Sequence, residues 1–409
     1  MKIFIYGINY APELAGIGKY TGELAEWLAN QKHEVEVFTG KPYYPEWEVP
    51  ASYKKKWWYT EQVNKVKIHR SPLYVPKQLS SIKRIWHEFS FIICLIPFWF
   101  VSLFQKKADI VIVIAPPFHL GLLALCYAKL KRTKILYHVQ DLQIDAAKDM
   151  GMIKNKWALS FMFALESFIL KRVNQVSTVS SGMLNKIKEK GISMSNIFLF
   201  PNWVDTHFMI PKNLSESMRS ELQISMNDFV IMYSGNIGEK QGLENMIEVA
   251  EKFQSQKNVL FLIVGSGGNK ENLIQQANQL NLTNVRFIDL QEHEKLPSLL
   301  AVADVHLVLQ KASASDLMMP SKLTGILSVG GYIIVTALEH TSLHEVIHHN
   351  QVGDVILPDD PEALYNAITK AIHKDLKPYK LNARTYALNH LEKTKLLSEF
   401  ERAILKLVN

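Results

Sequence analysis

The feature that most restricts what this chain can fold into is an alternation of short apolar runs with amphipathic segments that breaks once and then restarts. Runs of strand length occur at Lys2–Tyr6, Glu34–Thr39, Ile110–Ile114, Lys134–His138, Gln175–Val179 and Ile197–Phe200. Most are followed by helical spacing; residues 18–31, for example, place Tyr20, Leu24, Trp27 and Leu28 on one face. The rhythm stops at Pro201-Asn-Trp-Val-Asp205 and residues 206–227 are polar and irregular. It resumes with runs at Phe229–Ser234, Val259–Val264, Val285–Ile288, Val305–Leu309, Tyr332–Val335 and Gly353–Leu357. Strands alternating with helices build parallel sheets covered on both faces. The expected fold is therefore α/β, with two doubly wound parallel-sheet domains at residues 1–205 and 206–380. A C-terminal segment, 381–409, ends in a helix with Leu396, Leu397, Phe400, Ile404 and Leu407 on one side, which is expected to pack back on the first domain. A chain of 409 residues exceeds what one core supports. Ligands of such sheets bind beyond the carboxyl ends of the strands, so the site is expected in a crevice between the domains.

One turn carries the strongest chemical signal. Tyr233-Ser-Gly-Asn-Ile-Gly-Glu-Lys-Gln-Gly-Leu-Glu244 joins a strand-like run to a segment with Met246, Ile247, Val249, Ala250 and Phe253 at helical spacing. Gly235, Gly238 and Gly242 let backbone approach a ligand closely. The first N–H groups of the following helix favour an anion, and Lys240 adds a full charge. The combination describes a diphosphate cradle. The first strand leads into Gly7-Ile-Asn-Tyr rather than Gly-x-Gly-x-x-Gly, which argues against a nicotinamide oxidoreductase.

Composition narrows the partners. The formal charge of +7 fits a phosphorylated substrate, nucleic acid or anionic lipid. With no aromatic–basic RNA motif and no helix-turn-helix pattern, nucleic acid is set aside. Cys94 and Cys126 lie in apolar runs and read as buried thiols of a reducing cytoplasm. No zinc-type Cys/His spacing occurs, and Met1-Lys-Ile-Phe-Ile-Tyr-Gly7 enters a strand directly, without a signal-peptide cleavage region.

Several motifs together resemble a known family. Gly235…Lys240-x-Gly242, the Val264-Gly-Ser-Gly-Gly268 turn, residues 287–304 and Pro201-Asn-x-Val-Asp205 resemble the second domain of glycosyltransferase family 4, with its GT-B fold. The opening stretch Tyr6-Gly-Ile-Asn-Tyr-Ala-Pro-Glu-Leu-Ala-Gly-Ile-Gly-Lys-Tyr-Thr-Gly-Glu23 is more specific. With Pro42-Tyr-Tyr-Pro-Glu-Trp47, Pro72-Leu-Tyr-Val-Pro-Lys77 and Pro320-Ser-Lys-Leu-Thr324, it resembles the WcaI-type branch of that family, associated with colanic acid synthesis. The resemblance spans essentially the whole chain. It implies two Rossmann-like domains, the first for the acceptor and the second for the nucleotide sugar. It also implies retaining transfer of a hexose or 6-deoxyhexose from a UDP- or GDP-sugar, with no bound metal and no further cofactor. The implied acceptor is a saccharide on a polyprenyl diphosphate at the inner face of the plasma membrane, in exopolysaccharide, capsule or O-antigen synthesis. The family carries two glutamates eight residues apart before the strand that corresponds to Tyr332–Val335. Here those positions hold Leu317 and Gly325, so Asp316 and Lys322 are candidate replacements.

Residues are assigned on that basis. Without a metal, cations and helix starts must stabilise the leaving diphosphate. Lys240 leads, followed by Lys322, which sits just inside a helix opened by Pro320-Ser321. Asn236, Gly235 and Gly242 belong to the same cradle. Gly16, Gly18 and Lys19, in the loop after the first strand, are expected to meet the donor phosphates and the acceptor. His138-Val-Gln-Asp141 emerges from a strand end: Asp141 is expected to orient or deprotonate the acceptor hydroxyl and His138 to contact the transferred sugar, with Asp145 a weaker candidate. Gly265 and Gly267 leave room for base or ribose, and Leu290 and Gln291 are placed to touch the base. Asn202 and Asp205 read as structural caps. A hydrolysing nucleotide-sugar 2-epimerase of the same architecture is the main rival; it would release nucleotide without an acceptor and needs several carboxylates in its cleft. A nucleotide-sugar-binding scaffold is a third reading, and it predicts binding without turnover.

The apolar run at 89–104, broken by Pro97 and flanked by Lys83-Arg84 and Lys106-Lys107, is short for a membrane span. With Lys54-Lys-Lys-Trp-Trp58 it suits peripheral contact with an anionic membrane surface.

Overall fold

The structure is a computed structural model and describes residues 1–13, 16–78, 80–149, 151, 153, 155–312 and 320–409. The chain divides into two compact units, residues 1–201 with 395–409, and residues 202–394.

The first unit is built on an eight-stranded sheet: β1 (Lys2–Tyr6), β2 (Glu34–Gly40), β3 (Tyr59–Val63), β4 (Val66–Ser71), β5 (Ile110–Ala115), β6 (Lys134–Val139), β7 (Gln175–Thr178) and β8 (Ile197–Leu199), in the order β3-β4-β2-β1-β5-β6-β7-β8. All pairings are parallel except β3 with β4. β1 is central and wholly buried, which is why it reads as an unbroken apolar run. β3 and β4 have no such run. Their hairpin turns at Asn64 and Lys65, both at positive φ, and β4 buries polar side chains: His69 Nε2 lies 2.8 Å from Glu36 Oε2. Paired charge replaces apolar periodicity there, and the hairpin leaves no pattern to read. Helices Ser81–Ser102, Leu120–Lys131, Lys156–Leu170 and Ser181–Glu189 share one core, with Phe91, Leu95, Ala124, Ile169 and Met183 against Phe4, Val111 and Tyr137.

The second unit carries a six-stranded parallel sheet: β9 (Phe229–Ser234), β10 (Val259–Val264), β11 (Val285–Ile288), β12 (Val305–Val308), β13 (Tyr332–Thr336) and β14 (Gly353–Ile356), in the order β11-β10-β9-β12-β13-β14. Apolar clusters cover both faces of this sheet.

The divisions fall at 201/202 and 394/395 rather than 205/206 and 380/381. Val204 N donates to Leu391 O and Lys393 N donates to Val204 O, so residues 202–205 and 381–394 are stitched together inside the second unit. The last helix, Lys393–Val408, then joins the first unit, where Phe400 stacks on Phe200 at 4.3 Å and Glu401 meets His33 at 2.9 Å.

Candidate functional site

In the second unit the turns after β9 and β10 are locked together. Gly235 N donates to Val264 O, and Ile237 N to Ser266 O. A Cβ on Gly265 would lie 1.9 Å from Gly235 O, and one on Gly267 would lie 2.3 Å from Ile237 O. Both have φ near +150°, so glycine is required twice over, by conformation and by space. These two glycines therefore shape the cradle by letting its two loops touch. Asn236 is exposed, with its carbonyl accepting from Tyr233 Oη at 2.6 Å. Gly242 takes the left-handed conformation and turns the chain into helix Glu244–Lys252, which has no side-chain cap at its first turn.

Lys322 is the most unusual charge in this unit. Its ammonium is enclosed and, among the described residues, has no hydrogen-bond or ion-pair partner. It sits 3.6 Å above the Tyr233 ring, and a Cβ on Gly235 would lie 3.0 Å from Nζ. Burial lowers its pKa from 10.5 to about 7. A buried cation without a counter-charge is costly; here it is held by the face of one aromatic ring beside the glycine turn. Sequence reasoning ranked Lys240 above it. Lys240 lies on an exposed single turn, Glu239–Gln241, where its carbonyl accepts from Lys311 N at 2.8 Å. Ser321 is exposed, and its carbonyl accepts from Thr324 Oγ1. Leu290 is exposed, and Gln291 Nε2 donates to Asp289 O within the loop after β11. Asp316 lies outside the described residues.

In the first unit the opening loop is organised by a residue that the sequence reading did not single out. Glu13 is buried and accepts from Tyr43 N at 3.0 Å, Tyr44 N at 3.1 Å and Asn9 Nδ2 at 2.9 Å. Burial raises its pKa, against the pull of those bonds. This explains why the opening motif and Pro42-Tyr-Tyr-Pro45 belong together: one carboxylate pins the second loop to the first. A Cβ on Gly18 would strike Glu13 Oε2 at 2.5 Å, so Gly18 makes room for that carboxylate, and Gly16, at φ +61°, packs on Tyr44. Lys19 lies 5.6 Å over the Tyr20 ring.

His138 does not face a ligand. It is fully buried, with Nδ1 2.9 Å from Ser177 Oγ and Nε2 2.9 Å from Gln140 Nε2, and burial lowers its pKa to about 3. It is a neutral core imidazole that holds Gln140. Asp145 is bound to Lys190 at 2.6 Å, and Lys190 also pairs with Glu166. Asp205 caps the following turn through His207 N and Phe208 N, as expected. Asn202 is placed with its Oδ1 buried. Asp141 follows β6 by two residues and is close enough to Glu88 to act on its pKa. Glu88 projects from helix Ser81–Ser102, accepts from Gln143 Nε2, and titrates at about 7 because burial and then the Asp141 charge outweigh Gln143 and Arg84. Two carboxyls thus converge beyond β6. Glu88 escaped the sequence reading because it is one acid in an apolar segment. Among the described residues, no group of three or more His, Cys, Asp or Glu is placed to hold a metal.

Helix Ser81–Ser102 buries Phe91 and Leu95 but leaves the opposite face uncovered: Trp86 is 62% exposed, Ile93 59%, and Phe104 just beyond it 76%. By length and composition, residues 82–102 could cross a membrane. Trp57 and Trp58 are exposed too, and the Trp58 indole donates to Cys94 O, which ties the Lys54–Trp58 segment to this helix. In the same helical layer, Trp157 and Phe161 are exposed beside Lys156. The two thiols are not both buried: Cys94 is half-buried and Cys126 exposed, and both are free.

Comparison with known proteins gives consistent results. Residues 15–203 match the family described as glycosyl transferase 4-like domain, and residues 215–388 match glycosyl transferases group 1. The chain is 40% identical over 408 residues to WcaI of Escherichia coli (strain K12), named for colanic acid biosynthesis, with 98% of each chain covered. Among solved structures it superposes on sucrose-phosphate synthase from Thermosynechococcus elongatus with a TM-score of 0.77 at 16% identity, covering 99% of this chain and 98% of that one. Anabaena Alr3699/HepE, in complex with UDP, gives a TM-score of 0.74 at 14% identity, covering 99% of this chain and all of that one.

Proposed function

The chain belongs to the group 1, 4-like glycosyltransferases of GT-B fold, and from that premise we propose that it moves a hexose or 6-deoxyhexose from a UDP- or GDP-sugar to a lipid-linked saccharide, with retained configuration and without a bound metal. The observation that carries this reading is the enclosed Lys322 ammonium against the glycine turn after β9, without a hydrogen-bond or ion-pair partner among the described residues. A diphosphate supplies what that site lacks: two or three negative charges, close to backbone that only glycine permits. As the sugar–phosphate bond breaks, charge grows on the leaving phosphate, and a fixed buried cation stabilises that charge more than it stabilises the bound substrate. Lys240 and the uncapped start of helix Glu244–Lys252 add positive potential. That HepE binds UDP supports a nucleotide donor.

Asp141 receives or orients the acceptor hydroxyl, with Glu88 beside it. In front-face transfer the departing phosphate can take the acceptor proton, so Asp141 need not be a strong base. The likeness to WcaI supports an exopolysaccharide product. The exposed face of helix Ser81–Ser102, bordered by Lys83, Arg84, Lys106 and Lys107, supports a position on the cytoplasmic face of an anionic membrane. Since Phe91, Leu95 and His87 on its other side are buried in the unit, the helix lies along the lipid surface rather than across it.

The test is release of UDP or GDP from a panel of nucleotide sugars, with and without a polyprenyl-diphosphate saccharide fraction. Acceptor-dependent release supports transfer. Release that is equal without acceptor, or binding without turnover in the presence of every acceptor, refutes it.

A further inference from the structure

The second unit holds a cavity at the opposite end of its strands from the glycine turns. β12 and β13 run parallel to β9, so the residues that precede them lie at the end remote from the turns after β9 and β10. A cavity of about 390 Å³ is formed there, near the lower end of the range for small-molecule sites. Lys212, Lys380, Arg384, Asp304 and His306 line it, with the Gly330-Gly331 turn.

Two of these side chains are incomplete. His306 is only 1% exposed, yet its Nδ1 has no partner among the described residues. The ring also interacts with the Leu300 carbonyl, and burial lowers its pKa to about 3. The imidazole is therefore neutral, with its N–H directed at that carbonyl. Nδ1 is then a bare acceptor that needs a donor, and leaving it unmet is unfavourable. A Cβ on Gly331 would lie 2.5 Å from the His306 ring, so glycine at 331 is what allows the ring to sit where it lines the cavity. Lys380 is the second. Its ammonium has no hydrogen bond or ion pair among the described residues, and burial lowers its pKa, with Asp304 opposing. The remaining charges do not satisfy it. Arg384 donates to Met209 O, Ser328 O and Thr206 O, and Lys212 to Ser298 Oγ. Asp304, the one carboxylate in the lining, is held through Oδ2 by Arg219 at 2.8 Å and by Val230 N at 2.9 Å. Three cations thus face one engaged anion.

We propose that this cavity binds a small hydroxylated anion, a sugar phosphate or hydroxy acid, whose acidic group meets Lys380 and whose hydroxyl donates to Nδ1 of His306. The ligand supplies the two things the lining lacks, negative charge and one hydrogen-bond donor. The site is separate from the glycine turns and does not depend on the transfer reaction.

Glucose 6-phosphate is the probe. It is titrated into the full chain by calorimetry, and the His306 Nδ1 resonance is followed in ¹⁵N-histidine-labelled protein. Binding is expected in the millimolar range or tighter, at least about tenfold weaker in Lys380→Met and unchanged in Lys322→Met. The Nδ1 resonance is expected to move toward its hydrogen-bonded position, and sulfate, which has no hydroxyl, should leave it in place. No binding up to roughly 20 mM overturns the proposal. So does a loss in Lys322→Met, which would put the anion at the glycine turns, or an equal Nδ1 movement with sulfate. If Lys380→Met does not fold, the wild-type Nδ1 resonance decides by itself.

Discussion

Replacing Lys322 by methionine should make the unliganded protein more stable and its nucleotide site worse. The folded-state pKa of about 7, against 10.5 for a free lysine, means that the unfolded chain binds more protons between those values. Stability of the empty second unit therefore rises with pH from 7 to 10.5 and is insensitive to this group below 7. At pH 7 the buried charge withholds about 4 kcal/mol, from 1.36 kcal/mol per unit less the half-titrated fraction. Methionine fills similar space without charge, so Lys322→Met should raise the melting temperature by at least about 5 °C. The same logic makes nucleotide binding proton-linked. A bound diphosphate restores the ammonium, so binding should take up about half a proton at pH 7 and nearly one at pH 8. At pH 8 the terminal phosphate of UDP or GDP is already ionised, so the proton can be traced to the protein. The assay is calorimetric titration of UDP and GDP in buffers of different ionisation enthalpy, at pH 6, 7 and 8. Affinity should fall about fivefold between pH 7 and 8. Zero proton uptake at pH 8, or undiminished nucleotide affinity in Lys322→Met, would refute the reasoning.

Lys240→Ala should weaken nucleotide binding only about three- to tenfold, and less at high salt, because its charge is solvent-screened; calorimetry at two ionic strengths measures this, and a loss larger than that of Lys322→Met would reverse the ranking. Gly265→Ala forces a Cβ to within 1.9 Å of Gly235 O and should cost more than about 2 kcal/mol in denaturant unfolding; a neutral result would mean the turns can separate. Asp141→Asn should leave nucleotide affinity intact while transfer falls about a hundredfold; equal losses in both would make it structural. Trp86→Glu combined with Ile93→Glu should abolish co-sedimentation with anionic vesicles while the melting temperature stays within about 1 °C, since both side chains already face outward.

Of the fourteen strands among the described residues twelve were legible, most of them because parallel strands buried on both faces leave continuous apolar runs. The β3–β4 hairpin was not, because His69 is buried against Glu36 and Arg70 against Glu61, and the pattern of burial no longer follows apolarity. The glycines of the cradle were legible for a similar local reason: a left-handed φ or a close backbone approach leaves glycine as its trace. Side-chain roles were harder. His138 sits at a strand end, where site residues emerge, but Ser177 and Gln140 take both its nitrogens. Cys126 lies in an apolar run and still faces outward, because the helix that carries it has apolar residues on both sides.

The sequence alone determined that this chain forms two parallel-sheet units with a glycine-rich turn after the first strand of the second, since strand length, helical period and glycine geometry are properties of neighbouring residues. Only the tertiary structure decided which lysine is stripped of water. Tyr233, Gly235 and Lys322 are brought together by the order of strands in the sheet, and desolvation belongs to that enclosure rather than to any segment of chain. Lys240 and Lys322 look equivalent as letters; their surroundings differ, and those surroundings set the charge each can bring to a ligand.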